Sequence, residues 1–117
     1  MDDLQTSKYV KRPADIEAKI SYLTTEEGGR RGPVKSGYRP NHDFGLSEGL
    51  CDAVHEYPNN EWVQPGESIQ AFIWFFTPEL QVGRLNKGFE FKVQEGAHVV
   101  ATGKILKVIN MELRNDA

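Results

Sequence analysis

Chemistry in this chain would have to come from few residues. Three histidines (His42, His55 and His98) and a single cysteine, Cys51, are the candidates for a nucleophile–base pair or a metal site. One cysteine excludes an internal disulfide and a cysteine-based zinc site. The nearest histidine–carboxylate neighbours are His42 with Asp43, Asp52 with His55, and His55 with Glu56. None has the fixed offset of a known ligand pair, so ordinary surface or half-buried histidines are expected and no metal ion is. Cys51 beside a histidine would be a nucleophile with its base. Yet Cys51 neighbours Leu50 and Ala53, where a buried, inert thiol is the default. Glu26 and Glu27 are adjacent on a turn and point apart, which gives no acid–base pair. The expectation is a chain with no catalytic residues and no cofactor.

Nucleotide chemistry fails on the same inspection. A phosphate-binding loop ending at Gly103-Lys104 needs a glycine five residues earlier and a hydroxyl after the lysine. The chain has His98 and Ile105 there. Asn86-Lys87-Gly88-Phe89 begins like a guanine-reading motif but ends in phenylalanine where the carboxylate belongs. No aspartate is followed by glycine three residues on, so the matching switch element is missing too.

What remains is a basic stretch. Arg30, Arg31, Lys35 and Arg39 give +4 with no acid between them, leaving 10 bases against 17 acids, a balance of −7, on a chain of net charge −3. An acidic body is a poor general nucleic-acid binder, but a basic loop on it can make one directed contact. Tyr38, within a loop of glycines and prolines, suits phosphate and base contacts or a protein hot spot. The candidate binding residues are therefore Arg30, Arg31, Lys35, Tyr38 and Arg39; a solvated loop paired to nearby acids is the plainer alternative. Arg39, flanked by Tyr38 and Pro40, is expected to brace the loop, with Arg30, Arg31 and Lys35 open to a partner. Phe72, Trp74, Phe75, Phe76, Phe89 and Phe91 fall at strand period in apolar runs, and most of them are expected in the core.

The elements that must hold this loop are strands. Ile16, Ala18, Ile20 and Tyr22 alternate with polar residues, and Thr24 to Gly29 follows as a turn with two glycines free to take positive φ. Residues 30–41 have no period and read as a loop stiffened by Pro33 and Pro40. Leu50 to Tyr57 is a weaker strand with Cys51, Ala53 and His55 on one face, and Trp62-Val63 begins a short segment. Ser68 to Phe76 is apolar on both faces, so it is buried on both or lies in an interface. Phe89, Phe91 and Val93 point inward from another strand, joined by a tight turn at Glu95–His98 to a last one, Val99 to Ile109. Gly103 interrupts that strand, as at a bulge or close approach. No helical period is sustained. Composition is globular, no apolar run approaches the roughly 20 residues of a membrane span, and no signal segment opens the chain. A single cytoplasmic all-β domain, a small barrel or sandwich, is expected.

Glu27-Gly28-Gly29-Arg30 with Gly32-Pro33, then Gly37-Tyr38-Arg39-Pro40, then Gln64-Pro65-Gly66-Glu67, Thr77-Pro78, Gly88-Phe89-Glu90-Phe91, Gln94-Glu95-Gly96 and Lys107-Val108-Ile109 follow in order. Together they resemble the third, C-terminal β-barrel domain of elongation factor Tu. The resemblance implies a six-stranded antiparallel Greek-key β-barrel over residues 14–110, with tails at 1–13 and 111–117. It implies no nucleotide site, since the family's GTPase centre lies in a different domain. It also implies contacts with protein partners and with the T-stem side of aminoacyl-tRNA. Departures bear on the second. The arginine and threonines that follow the Gly-Tyr-Arg-Pro motif in the family are replaced at Asn41 to Gly49, and two more arginines are lost at Gln94 and around Gly96-Ala97-His98. Each loss removes a phosphate contact. A non-catalytic module that docks to a protein linked to translation is the leading expectation. A tRNA-binding or RNA-binding module using residues 30–39 is the alternative, and an enzyme with a convergent site around Cys51 and the histidines comes last.

Overall fold

The computed structural model describes residues 10–45, 49–58 and 62–115. Eight strands follow in chain order: β1 (Ile16–Tyr22), β2 (Val34–Lys35), β3 (Asn41–Asp43), β4 (Leu50–Glu56), β5 (Trp62–Val63), β6 (Ser68–Phe75), β7 (Glu90–Glu95) and β8 (His98–Val108). Six of them close an antiparallel barrel in the order β1-β6-β4-β3-β7-β8, while β2 and β5 form a separate two-stranded ribbon. The connections from β1 to β3 and from β6 to β7 each skip over neighbours, the Greek-key habit of small barrels. The only helical pieces among the described residues are single 3-10 turns at Pro78–Gln81 and Met111–Leu113, and none could cross a membrane.

Alternation decides the interior. Ile16, Ala18, Ile20 and Tyr22 of β1 point inward and meet Ala71, Ile73 and Phe75 of β6, Phe91 and Val93 of β7, and Ala101 and Ile105 of β8. In β8 the glycine marks a close approach rather than a bulge: a Cβ on Gly103 would stand 2.2 Å from the Phe91 ring. The register shifts lie elsewhere, between Glu17 and Ala18 and between Val93 and Gln94.

The doubly apolar strand β6 is buried on both faces. Its outer residues Phe72 and Trp74 pack with Ala14 and Val54, and Val10 and Ile109 close over them. Residues 10–13, expected within a tail, thus pack against the barrel. Asp15, fully buried, holds them: its carboxylate accepts from Arg12 (2.9 and 3.0 Å), the Phe75 amide (2.7 Å) and Asn110 (2.9 Å). A buried carboxylate persists only with such a complete set of donors. Phe76, one residue beyond β6, is 48% exposed and is an exception among the aromatics of these apolar runs. The strand has ended there, so its period no longer dictates burial.

Candidate functional site

The turn after β1 sets the direction of the arm at residues 30–41. Thr24 and Glu27 exchange bonds, the Thr24 amide donating to the Glu27 carboxylate (2.8 Å) and the Glu27 amide to the Thr24 hydroxyl (3.0 Å). Of the two glycines only Gly28 takes positive φ, at 96°. Gly29 is needed for space, because a Cβ there would lie 2.6 Å from the Leu23 carbonyl oxygen.

From there the arm is stitched down by its backbone. Gly37 donates to the His55 carbonyl (2.9 Å), His55 to the Tyr38 carbonyl (2.9 Å) and Ala53 to the Pro40 carbonyl (3.3 Å). The Tyr57 amide donates to the Ser36 hydroxyl (2.9 Å). Residues read as loop from the sequence thus run into β3, which is only Asn41-His42-Asp43 and carries no hydrophobic signal. Asn41 clamps both sides, donating to Asp52 and accepting from the Gly96 amide (3.0 Å).

Arg30 lies at the centre of this construction. Its Nε donates to Glu95 (2.6 Å), its terminal nitrogen to the carbonyls of Gly32 (2.6 Å) and Pro33 (3.0 Å), and its guanidinium lies 5.4 Å from the Tyr38 ring centroid. Tyr38 donates to the same Glu95 oxygen (2.5 Å). Burial pushes the Glu95 carboxyl up, but the hydrogen bonds from Tyr38 and Arg30, with the Arg30 charge, outweigh it and hold the carboxyl below its usual range. The Tyr38 hydroxyl is driven well up by burial and by its bond to Glu95. The bracing contact expected of Arg39 is thus made by Arg30. Arg30 is the brace, held by an acid 65 residues away, whereas Arg39 is exposed with its guanidinium 5.6 Å from the exposed Phe76 ring. Lys35 lies over the exposed Trp62 at 5.2 Å. Arg31 is exposed. The surface that the arm presents is thus Arg31, Lys35 and Arg39 with two aromatic rings, on a frame of Arg30, Tyr38 and Glu95.

Beneath the arm lies a polar chain that spacing along the sequence did not reveal. His42 and His55 are both fully buried, not surface or half-buried, and their Nε2 atoms are 2.8 Å apart. His42 Nδ1 meets the Cys51 carbonyl at 3.0 Å, His55 Nδ1 meets the Tyr57 hydroxyl at 3.0 Å, and Tyr57 meets Tyr22 at 2.6 Å. A carbonyl only accepts, so His42 Nδ1 carries the proton and every other role follows. Tyr22 donates to Tyr57, Tyr57 to His55, His55 to His42, and His42 to Cys51. Both rings are neutral in this chain. Burial lowers the His42 pKa to about 4 against weaker opposing effects of the Cys51 carbonyl and Asp52, and burial followed by the His42 charge pushes His55 well down.

This arrangement is no catalytic pair. His42 meets the carbonyl of Cys51, whose buried thiol instead accepts from Gln81 at 3.2 Å. Among the described residues no three histidine, cysteine or carboxylate side chains converge as metal ligands. The one signal in the sequence was the place of His55 on the same strand face as Cys51 and Ala53. A polar ring facing a core requires a partner there.

The family described as Elongation factor Tu C-terminal domain matches residues 9–109 of the chain.

Proposed function

The chain belongs to the elongation factor Tu C-terminal domain family, and from that premise we propose that it is a non-catalytic binding module that docks to a protein of translation. The contact residues in this reading are Arg31, Lys35 and Arg39, with Arg30 and Tyr38 holding them in place. The observation that carries it is the pairing of exposed cations with exposed rings, Lys35 on Trp62 and Arg39 on Phe76. Tryptophan, tyrosine and arginine dominate the energetics of protein interfaces. An arm already fixed by backbone bonds also loses less entropy on binding. The reading needs no nucleotide and no cofactor, and it sets the protein in the cytoplasm.

A tRNA-binding module using the same arm is the second reading, favoured by the three exposed cations. With Arg30 occupied by Glu95, and with acids in excess over the rest of the chain, phosphate would find less charge than the sequence suggests. Bulk tRNA titrated at low and high salt separates the two. Affinity with a steep salt slope overturns the protein reading. Absence of binding at low salt, with capture of a translation protein that is lost on joint Lys35→Ala and Arg39→Ala substitution, supports it.

A further inference from the structure

The end of the chain builds a second surface from different residues. The family match stops at residue 109, while the chain continues in a fixed path to Asn115. Asn110 starts that path: its side chain donates to Asp15 (2.9 Å) and accepts from the Glu112 amide (3.2 Å). Leu113 is 1% exposed, and the Leu85 amide donates to its carbonyl at 2.8 Å. The Asn115 amide donates back to the Leu85 carbonyl at 2.8 Å. Residues 111–115, expected as a tail, are thereby laid against the barrel.

Between them, the end of β8 and Asn86-Lys87 runs a groove of about 630 Å³. Three cations line it, Lys87, Lys107 and Arg114, and none of the described residues that line it is a carboxylate. Leu106 and Met111 bring apolar surface, 38% and 62% exposed. Arg114 donates to the Met111 sulfur at 3.4 Å, so charge and thioether share one rim. Glu17 stands opposite Lys107 in the β1–β8 register, but its carboxylate accepts from Gln70 on the other side.

We propose that this groove binds an acidic peptide segment bearing apolar side chains, presented by a partner protein. Charge complementarity selects the acid in a protein that is otherwise acid-rich. Leu106 and Met111 select the apolar residues, and a methionine adapts its shape to them. A nucleic acid would find charge here without an aromatic ring to stack on. The proposal uses none of the arm residues, so either can fail alone.

The test is fluorescence anisotropy with a labelled peptide of glutamate alternating with leucine, titrated with the whole protein at about 50 mM salt. Binding should weaken about tenfold or more in the joint Lys87→Glu and Lys107→Glu variant. It should also weaken several-fold in Met111→Ser and with a polyglutamate peptide, and stay unchanged in Arg31→Ala. Thermal melts check that the variants fold. Lack of binding, equal binding by the charge-reversed variant, or full displacement by single-stranded RNA would overturn the proposal. So would a dimer seen by sedimentation and lost in that variant, because the groove would then be filled by a second copy.

Discussion

Acidifying the protein mildly should cost it a large share of its stability, and the buried histidine pair should be the reason. An unfolded histidine takes up its proton near pH 6.5, whereas folded His42 does so only at about pH 4. Between those values the unfolded chain holds the extra proton, so stability is full above pH 6.5 and falls as the pH falls. From about pH 7.5 to about pH 5 the loss from His42 is roughly 2 kcal/mol, about one and a half pH units at ~1.4 kcal/mol each. His55 is shifted in the same direction and adds to the loss. Glu95, held below its usual value of 4.5, contributes stability that disappears only at still lower pH, outside this window. Urea unfolding followed by the fluorescence of buried Trp74 measures the difference. A His42→Gln variant should show a shallower decline, because one of the two proton acceptors is gone. Stability equal within about 0.5 kcal/mol at both pH values, or the same decline in the variant, would refute the reasoning.

Three further outcomes test the packing and the arm. Gly103→Ala should destabilise by about 2 kcal/mol through its collision with the Phe91 ring, and Phe91→Ala alone by about 3 kcal/mol. Together they should cost at least ~1 kcal/mol less than the sum, as a double-mutant cycle in denaturant would read. Arg30→Ala should cost about 1–2 kcal/mol by freeing Glu95 and two carbonyls, while Arg39→Ala changes the unfolding midpoint little. Gly29→Ala should destabilise by about 2 kcal/mol or more because it meets backbone, whereas Gly32→Ala, with open space around it, should be near neutral in a thermal melt.

Legibility in the sequence followed the hydrophobic period. The strands β1 and β7 were readable because apolar and polar residues alternate along them, β6 because it is apolar on both faces, and β4 and β8 from a looser alternation. The strand β3 was not, because three polar residues carry no period and its inward member is a histidine. The ribbon of β2 and β5 is two residues on each side, too short for any pattern. In the arm, residue types marked the right place but not the roles. Whether an arginine braces or reaches out depends on its partner, and Glu95 lies on a hairpin far along the chain. The histidine pair was hidden for the same reason, its members lying 13 positions apart. The family resemblance supplied the barrel; it did not supply this polar chain or the groove that residues 111–115 help to build.

Among the described residues the three of β3 are the shortest stave of the barrel, bonded to β4 on one side and to β7 on the other. A closed cylinder opens where the fewest bonds must break, so the seam of least resistance lies along β3 and its neighbours β4 and β7. Amide protons of Asn41, His42 and Asp43, and of the residues they face, should exchange with solvent ahead of those in β1, β6 and β8. Parting that seam leaves a curled five-stranded sheet with its apolar floor largely in place. The first interior groups to meet water would be the two imidazoles, since His42 rides on the stave itself. Acid would then act as a wedge: each brief parting lets a proton in, and a charged ring keeps the stave from closing again.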